Sequence, residues 1–573
     1  MSVQRSLSKK NWVPPSFFSK NTEIPTVENL EKLQEILLAA RGLDSHEKIE
    51  NFLSPSFSDL ADPFEMSGMS AAVDRIFVAI EKKERIVVFG DFDADGITST
   101  VILVTALQKF GAEVSYRIPD RNAESHGLKT FFIDELHEKK VSLVITVDCA
   151  TNDAREISYA KKLGIDVIVT DHHAAEKERF PHDAVAIVNP RLDPPDVAWS
   201  EISGAAVAWK VAAALAQTKF SAKNPPDAAE KISKFLWPLL EIAAIGVVAD
   251  CVDLVKENRI FAKFGLQKMR ESSWDAVRRL VADTNPTEET IAFSIAPRLN
   301  AASRIGDVLV ALQLFLGDKK ENVVRLKKLE MWNDERKKLT EISVDQSRTQ
   351  VVPDAPIQIF RGNWKPGVLG LLASRHVEQL GVPVVACTDR ADGKIAASCR
   401  APEGSSIVAA LQACGELFEV FGGHAGAAGF LAPGENFSKI CDALISHFST
   451  KKPPELSVRL DAWVDLELLD FSLLDFLHFL APFGAGNPQP IFGLKKLKIT
   501  RISPMGAQKN HLRISVDSGS QRAELVAFFA GHLISNLSIG DEIDAAVTIS
   551  ENLWNGKRRL QFLVVDARKS VAS

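Results

Sequence analysis

Cysteine is scarce and scattered in this sequence: the six thiols (Cys149, Cys251, Cys387, Cys399, Cys414, Cys441) include no C-x-x-C pair. A zinc cage of paired thiolates and a dithiol redox site are both excluded, leaving buried, reduced thiols. Positive charge is not in surplus either. With 68 Lys and Arg against 74 Asp and Glu, the formal net charge is −6, so the chain does not coat nucleic acid through a global positive field, and any contact with DNA must be local. The opening residues, MSVQRSLSKKNWVPPSFF, carry basic residues with no continuous apolar stretch behind them. Neither secretion nor membrane insertion is therefore expected, and the cytoplasm is the expected compartment.

What is present is the composition of a soluble globular chain, 46% hydrophobic and 25% charged. Its 573 residues exceed one hydrophobic core, and roughly three to five domains are expected. Residues 1 to about 70 contain short helical patterns, VENLEKLQEILLAARG and SHEKIENFL, and predict a small helical lead-in. From Arg85 to about Leu254, apolar runs end in acidic residues: RIVVFGDFDADG, VSLVITVDCA, IDVIVTDHH and AAIGVVAD. The first three alternate with helical stretches, as in a doubly wound parallel sheet; the fourth lies in a more helical context. A charged helical connector spans 307 to about 349, and a smaller α/β domain follows, with strands at APIQIF, VPVVACT and GKIAAS. The remainder yields five strand candidates, fitting a β-barrel of the OB type. From Ile491 to Ser573 there are 12 Lys or Arg against 7 Asp or Glu, so this part is locally basic.

The chemistry concentrates at the ends of the apolar runs. Asp91, Asp93 and Asp95 follow RIVVF, and alternation along an extended segment predicts that all three project to one side. Asp148 ends the second run, Asp171, His172 and His173 end the third, and Asp250 can complete the set. In an open parallel sheet such residues converge on one crevice at the carboxyl ends of the strands. Carboxylates brought together repel unless cations neutralise them, and carboxylates with imidazoles suit Mn²⁺ or Mg²⁺. Two such ions perform in-line phosphoryl displacement, so phosphoester hydrolysis is the expected reaction. Each residue also has a plainer role, since Asp after a strand often caps a helix.

The ordered set DFDADG, TVDC, TDHH and VAD resembles the four motifs of the DHH phosphoesterase superfamily. FLSPSFSDLADPFEM, VNPRLD, APRLNAAS-R, NWKPGVLGLLASR, GGHAGAAGF, PFGAGNPQPIF and LWNGKRRLQFLVVDA narrow the resemblance to the RecJ family and cover nearly the whole chain. It implies a lead-in at 1–70, a DHH catalytic domain at 71–306, the connector at 307–349, a DHH-associated substrate-binding domain at 350–453 and an OB-fold nucleic-acid-binding domain at 454–573. It implies metal binding by Asp93, Asp95, Asp148, His172 and Asp250, with Asp148 touching both ions, and Asp91, Asp171 and His173 as ligands or orienting groups. Arg298, Asn300 and Arg304, with Arg375, Ser398, Arg400, Gly423 and His424 of the second domain, are implied to face the substrate. On the barrel the candidates are Lys509, His511, Arg513, Trp554, Lys557 and Arg558.

The activity implied is a monomeric 5′-to-3′ exonuclease on single-stranded DNA, releasing mononucleotides in recombination and repair. Its implied partners are a single-strand-binding protein and a RecQ-like helicase. The chain departs from the family pattern at AASCRA, at PRLNAAS and at Ser125-His126-Gly127. A phosphodiesterase of short oligonucleotides or cyclic dinucleotides, and a non-catalytic scaffold, are the competing readings; the basic barrel weighs against the first and the full ligand set against the second.

Overall fold

The computed structural model describes residues 10–15, 23–121, 124, 126–221, 225–281, 285–450, 456–506, 509–528, 530, 536–554 and 557–570. They fall into two compact units, one of residues 56–454 with 484–486, the other of 1–55, 455–483 and 487–573.

The second of these units begins the chain, with β1 (Asn11–Val13), β2 (Thr26–Val27), α1 (Leu30–Ala39) and α2 (His46–Leu53). Asn29 and Ser45 cap the two helices.

The larger unit opens with α3 (Met69–Glu81), followed by β3 (Arg85–Gly90), α4 (Ala94–Lys109), β4 (Glu113–Arg117), α5 (Thr130–Glu138), β5 (Leu143–Val147), α6 (Ala154–Lys162), β6 (Asp166–Thr170) and β7 (Ala186–Val188). The strands form an all-parallel sheet in the order β4-β3-β5-β6-β7. Both faces are covered, which explains the unbroken apolar runs: Ile86, Val88, Leu143 and Ile145 pack towards α3 and α4, while Val87, Phe89, Val144 and Val167 pack towards α5 and α6. Strand order reverses between β3 and β5, so the crevice of this doubly wound sheet opens at their carboxyl ends.

Helices α7 (Gly204–Ser221), α8 (Pro225–Ala249) and α9 (Lys256–Met269) close the α4 side. Alanines line α7 and bury it on all sides, allowing close approach to its neighbours. By length and composition α8 is apolar enough to cross a membrane, yet it lies packed between α7 and α9. The fully buried Lys210 donates to Glu257 Oε1 and to the Ala61 carbonyl, and the Ala61 N–H donates back to Glu257. This network fastens the segment around Ala61 to the helical layer.

The unit continues through α10 (Asp275–Val281), the single-turn α11 (Glu288–Thr290), a π-helical turn at Ile291–Ile295, α12 (Ala296–Ile305), α13 (Val308–Leu316) and α14 (Asn322–Ser347). The connector expected at 307–349 is thus two helices, and α13 contributes Val308, Ala311 and Leu312 to the main core. Then come β8 (Gln358–Arg361), α15 (Pro366–Leu380), β9 (Val384–Asp389), β10 (Lys394–Arg400), α16 (Ile407–Gln412), β11 (Val420–Gly423), β12 (Ala427–Pro433) and α17 (Phe437–Ser449). Their sheet runs β11-β12-β10-β9-β8, with only β8 and β9 parallel.

The other unit resumes with β13 (Ser457–Arg459), β14 (Ala462–Val464) and α18 (Phe471–Leu480), then β15 (Phe492–Met505), β16 (His511–Asp517), β17 (Arg522–Ala527), β18 (Glu542–Trp554) and β19 (Lys557–Lys569). Strand order β16-β17-β19-β18-β15, closed by β15 with β16, is the OB barrel expected from the sequence. The first residues do not stand alone as a helical lead-in: β1 pairs in parallel with β13, β2 with β14, and Leu33 and Leu37 join the barrel core. Only two or three residues of each strand pair, too few to give a periodic signal in the sequence.

Candidate metal centre

The crevice at β3 and β5 gathers the acidic residues, by a different local route from the one expected. The β3 strand stops at Gly90, and Asp93 becomes the N-cap of α4, its Oδ1 accepting from the Asp95 and Gly96 amides at 3.0 Å each. Strand alternation therefore does not aim Asp91, Asp93 and Asp95; helix initiation does. Asp95 sits in the first turn of α4, held by Gly204 N (2.7 Å), Ala205 N (2.9 Å) and Ser203 Oγ (3.1 Å) at the start of α7. Asp148 ends β5 with a φ of 61°, its amide tied to the Thr170 carbonyl. A Cβ on Gly204 would lie 2.7 Å from Asp148 Cβ, so only glycine lets α7 come this close.

His172 lies at the centre: its Nε2 is 3.1 Å from Asp148, 3.6 Å from Asp250 and 3.9 Å from Asp95. Asp250 arrives from the carboxyl end of α8. Possible ligand atoms fall into three overlapping groups, each within 4.8 Å: Asp95 with His172 and Asp250, Asp91 with Asp93 and Asp148, and Asp148 with His172 and His173. Asp148 thus joins two neighbouring sets. Asp171 is in none of them; its oxygens accept from the amides of Thr151, His172 and His173 and pair with His173 Nδ1 at 2.8 Å. It aims the His173 imidazole and holds the His172 backbone.

The electrostatics call for cations. Asp91 Oδ1, Asp148 Oδ1 and His172 Nε2 are buried without a hydrogen-bond partner, a costly state unless a ligand satisfies them. Burial and Asp93 push Asp91 and Asp95 up to about 7. Burial and then Asp95 push Asp250 to about 8 and Asp148 well above the carboxylate range. Burial lowers His172 to about 3, which keeps its ring neutral and able to donate a lone pair. Burial opposes the charge on His173, but Asp171 overrides it and raises the imidazole to about 9. Oxygen and imidazole donors, orphaned and mutually repelling, fit a pair of hard divalent ions.

Arginines border this centre. Arg121 is stacked over Phe92 and faces Asp91 and Asp93. Arg304 donates to the Gly367 carbonyl; burial, then Arg121, Arg400 and Arg336, lower it to about 9, still protonated at neutral pH. Arg400 bonds Ser398 Oγ and faces Arg121. Arg304 and Arg400 lie close enough to Arg121 to depress one another, and together with it they offer an anion site beside the carboxylates that Arg121 faces. Asn300 accepts from the Ala94 amide at 2.8 Å and so braces the start of α4. The GGHAG turn places His424 over His173, rings 6.4 Å apart and nearly parallel. Gly423 there has a φ of 140°, and a Cβ on it would overlap Ala427 O and Ala428 Cα.

Other expected substrate residues are placed elsewhere. Arg298 donates to Ser294 and to the Leu280 carbonyl, bracing α12 against the framework rather than joining the arginines. Arg375 is exposed on α15, facing Arg336. On the barrel, Lys509, His511 and Arg513 share one region, while Arg558 is paired with Glu551 and Asp475. The side chains of Trp554 and Lys557, and Ser125, lie outside the described residues. Sequence reasoning missed Arg121, Ser203 and Arg191, whose Nε donates to the His172 carbonyl. Arg121 follows β4 and Arg191 follows β7; the strand-end rule applied to cations as well as acids would have found both.

Comparison with known proteins identifies three domains along the chain. The DHH family N-terminal domain matches residues 85–246, the DHHA1 domain 354–450 and the RecJ OB domain 460–566. The chain is 32% identical to the single-stranded-DNA-specific exonuclease RecJ of Bacillus subtilis, over 93% of its own length and 67% of that protein's. It resembles the crystal structure of RecJ in complex with Mn²⁺ from Thermus thermophilus with a TM-score of 0.79 at 30% identity, covering 94% of this chain and 76% of that one. For the Mg²⁺ complex of RecJ from the same organism the TM-score is 0.74 at 29% identity, covering 94% and 75%.

Proposed function

The chain belongs to the RecJ family, and from that premise we propose how its residues divide the work of a metal-dependent, single-stranded-DNA-specific exonuclease. Asp93, Asp95, Asp148, His172 and Asp250, with Asp91 at the edge, would hold the ions, and Asp148 belongs to two neighbouring donor groups. When bound, two Mn²⁺ or Mg²⁺ ions supply an activated water and charge to offset the reacting phosphodiester. Asp171 fixes the orientation of the His173 imidazole, and His173 and His424 flank the reacting phosphate.

The observation that carries this reading is the half-buried anion site of Arg121, Arg304, Arg400 and Ser398 against the carboxylate cluster. A terminal phosphate monoester carries about −1.5 to −2 charge at neutral pH, more than an internal diester. Clustered, half-buried arginines therefore favour a strand end over its interior. Degradation runs from the 5′ end and releases mononucleotides, with the OB barrel binding more of the strand. One chain carries every part, so the working form is a monomer. A helicase of the RecQ kind and a single-strand-binding protein are the partners that single-strand specificity calls for, in a reducing cytoplasm where six unbridged cysteines persist.

Digestion of single strands labelled at one terminus tests this. With Mn²⁺, a 5′ label is expected in mononucleotides at the earliest times, with none from duplex. Early release of a 3′ label would overturn the assigned direction. Failure to cut long strands while cleaving dinucleotides would favour the small-substrate reading.

A further inference from the structure

We propose that Phe528, set against His511, is a base-stacking platform of the OB barrel. This rests on the single-strand-binding role given to the barrel above and names the residue that carries it. Phe528 follows β17 and is 52% exposed, so its ring face is open to a ligand. Its ring lies 5.3 Å from that of His511, at 78° to it. His511 begins β16, and Gly506 in the preceding turn makes room for it: a Cβ there would reach 3.0 Å from His511 Cδ2. The imidazole is wedged between the turn and Phe528 and sets the angle of the phenyl ring.

Register fixes what surrounds the ring. Leu512 and Ala527, partners across β16 and β17, point into the core, so His511 and Phe528 lie on the outer face. Along that face His511 is paired with Met505, Arg513 with Ser503 and Val526, and Ser515 with Arg501 and Glu524. Arg501, Arg513 and Lys509 are exposed here; of the acids along this face, Glu524 is 4.0 Å from Arg513 and Asp517 is paired with Arg522. Cations thus outnumber acids around an exposed ring on the second and third strands of the barrel, the face on which OB folds bind oligonucleotides. Charge selects a polyanion, and an aromatic face selects unpaired bases over a duplex backbone.

The test is binding by the full chain in EDTA, which stops hydrolysis. The probe is a fluorescein-labelled oligothymidylate of about 30 nucleotides, longer than the ~4–16 that one OB fold covers. Phe528→Ala is expected to weaken binding about 5- to 150-fold, the range for loss of one stacked base, with an unchanged melting temperature. Phe528→Leu keeps the apolar bulk and is expected to weaken binding similarly. Phe528→Trp is expected to bind like the parent chain, with tryptophan emission quenched by the oligonucleotide. Parental affinity in Phe528→Ala or Phe528→Leu, or unquenched emission in Phe528→Trp, would overturn the platform alone. Failure of the parent chain to bind would instead remove the single-strand-binding role on which it rests.

Discussion

Gly204→Ala probes the metal centre without touching a ligand. The added methyl would stand 2.7 Å from Cβ and Oδ1 of Asp148 and 2.8 Å from its Cγ. Ordinary carbon contacts are about 3.5–4.0 Å, so the two backbones must separate by most of an ångström. Neither yields easily: the Asp148 amide is bonded to the Thr170 carbonyl, and the Gly204 amide holds Asp95 at 2.7 Å. Overpacking of this kind costs about 1–3 kcal/mol of stability. The larger effect falls on chemistry, because displacement of a catalytic group by ~1 Å costs about 10²-fold in rate. Turnover of a 5′-labelled single strand in saturating Mn²⁺ is therefore expected to fall about 10²-fold, with weaker Mn²⁺ binding by calorimetry and a folded circular-dichroism spectrum. Parental turnover and affinity would refute the claim that Asp148 must sit where it does.

Lys210→Met removes the cation from a fully buried pair and leaves Glu257 uncompensated, so unfolding free energy should drop by about 3–5 kcal/mol, read from urea midpoints. Arg304→Ala should slow digestion of 5′-phosphorylated strands by roughly 10- to 150-fold, the loss of one or two charge-assisted hydrogen bonds. It should affect 5′-hydroxyl strands much less, as competition assays between the two ends will show. In the metal-free chain, Asp91 and Asp95 titrate at about 7 and Asp250 at about 8 when folded, against an ordinary 3.8. The folded state therefore holds more protons than the unfolded one across that window, and stability must fall as pH rises through it. Melting temperatures at about pH 5 and about pH 9 are expected to show that loss without metal and much less of it with Mn²⁺.

Much of the site was legible because strands buried on both faces write themselves as apolar runs, and the residues that end them must lie at one edge of the sheet. Asp148, Asp171 and His172 follow from that rule alone. Asp93 and Asp95 were found for an imperfect reason: the sequence has the right acids, but a helix cap rather than strand alternation aims them. Asp250 reaches the cluster from a helix, where no period marks its last residue. The sequence does not reveal that Arg298 donates to the Leu280 carbonyl, because an arginine beside Asn300 and Arg304 reads the same whether it turns to the crevice or to the framework. The short strands β1 and β2 were invisible, since pairing with distant partners, not local pattern, makes them strands.

The proposed function requires that Asp91, Asp93, Asp95, Asp148, His172 and Asp250 take up a pair of divalent ions. Calorimetric titration of Mn²⁺ into chelator-treated protein, followed by electron paramagnetic resonance of the loaded sample, measures this directly. Two ions per chain with a spin-coupled spectrum, reduced to at most one uncoupled ion in Asp148→Ala, is the result predicted. One isolated ion in the parent chain, or unaltered binding in Asp148→Ala, would contradict it.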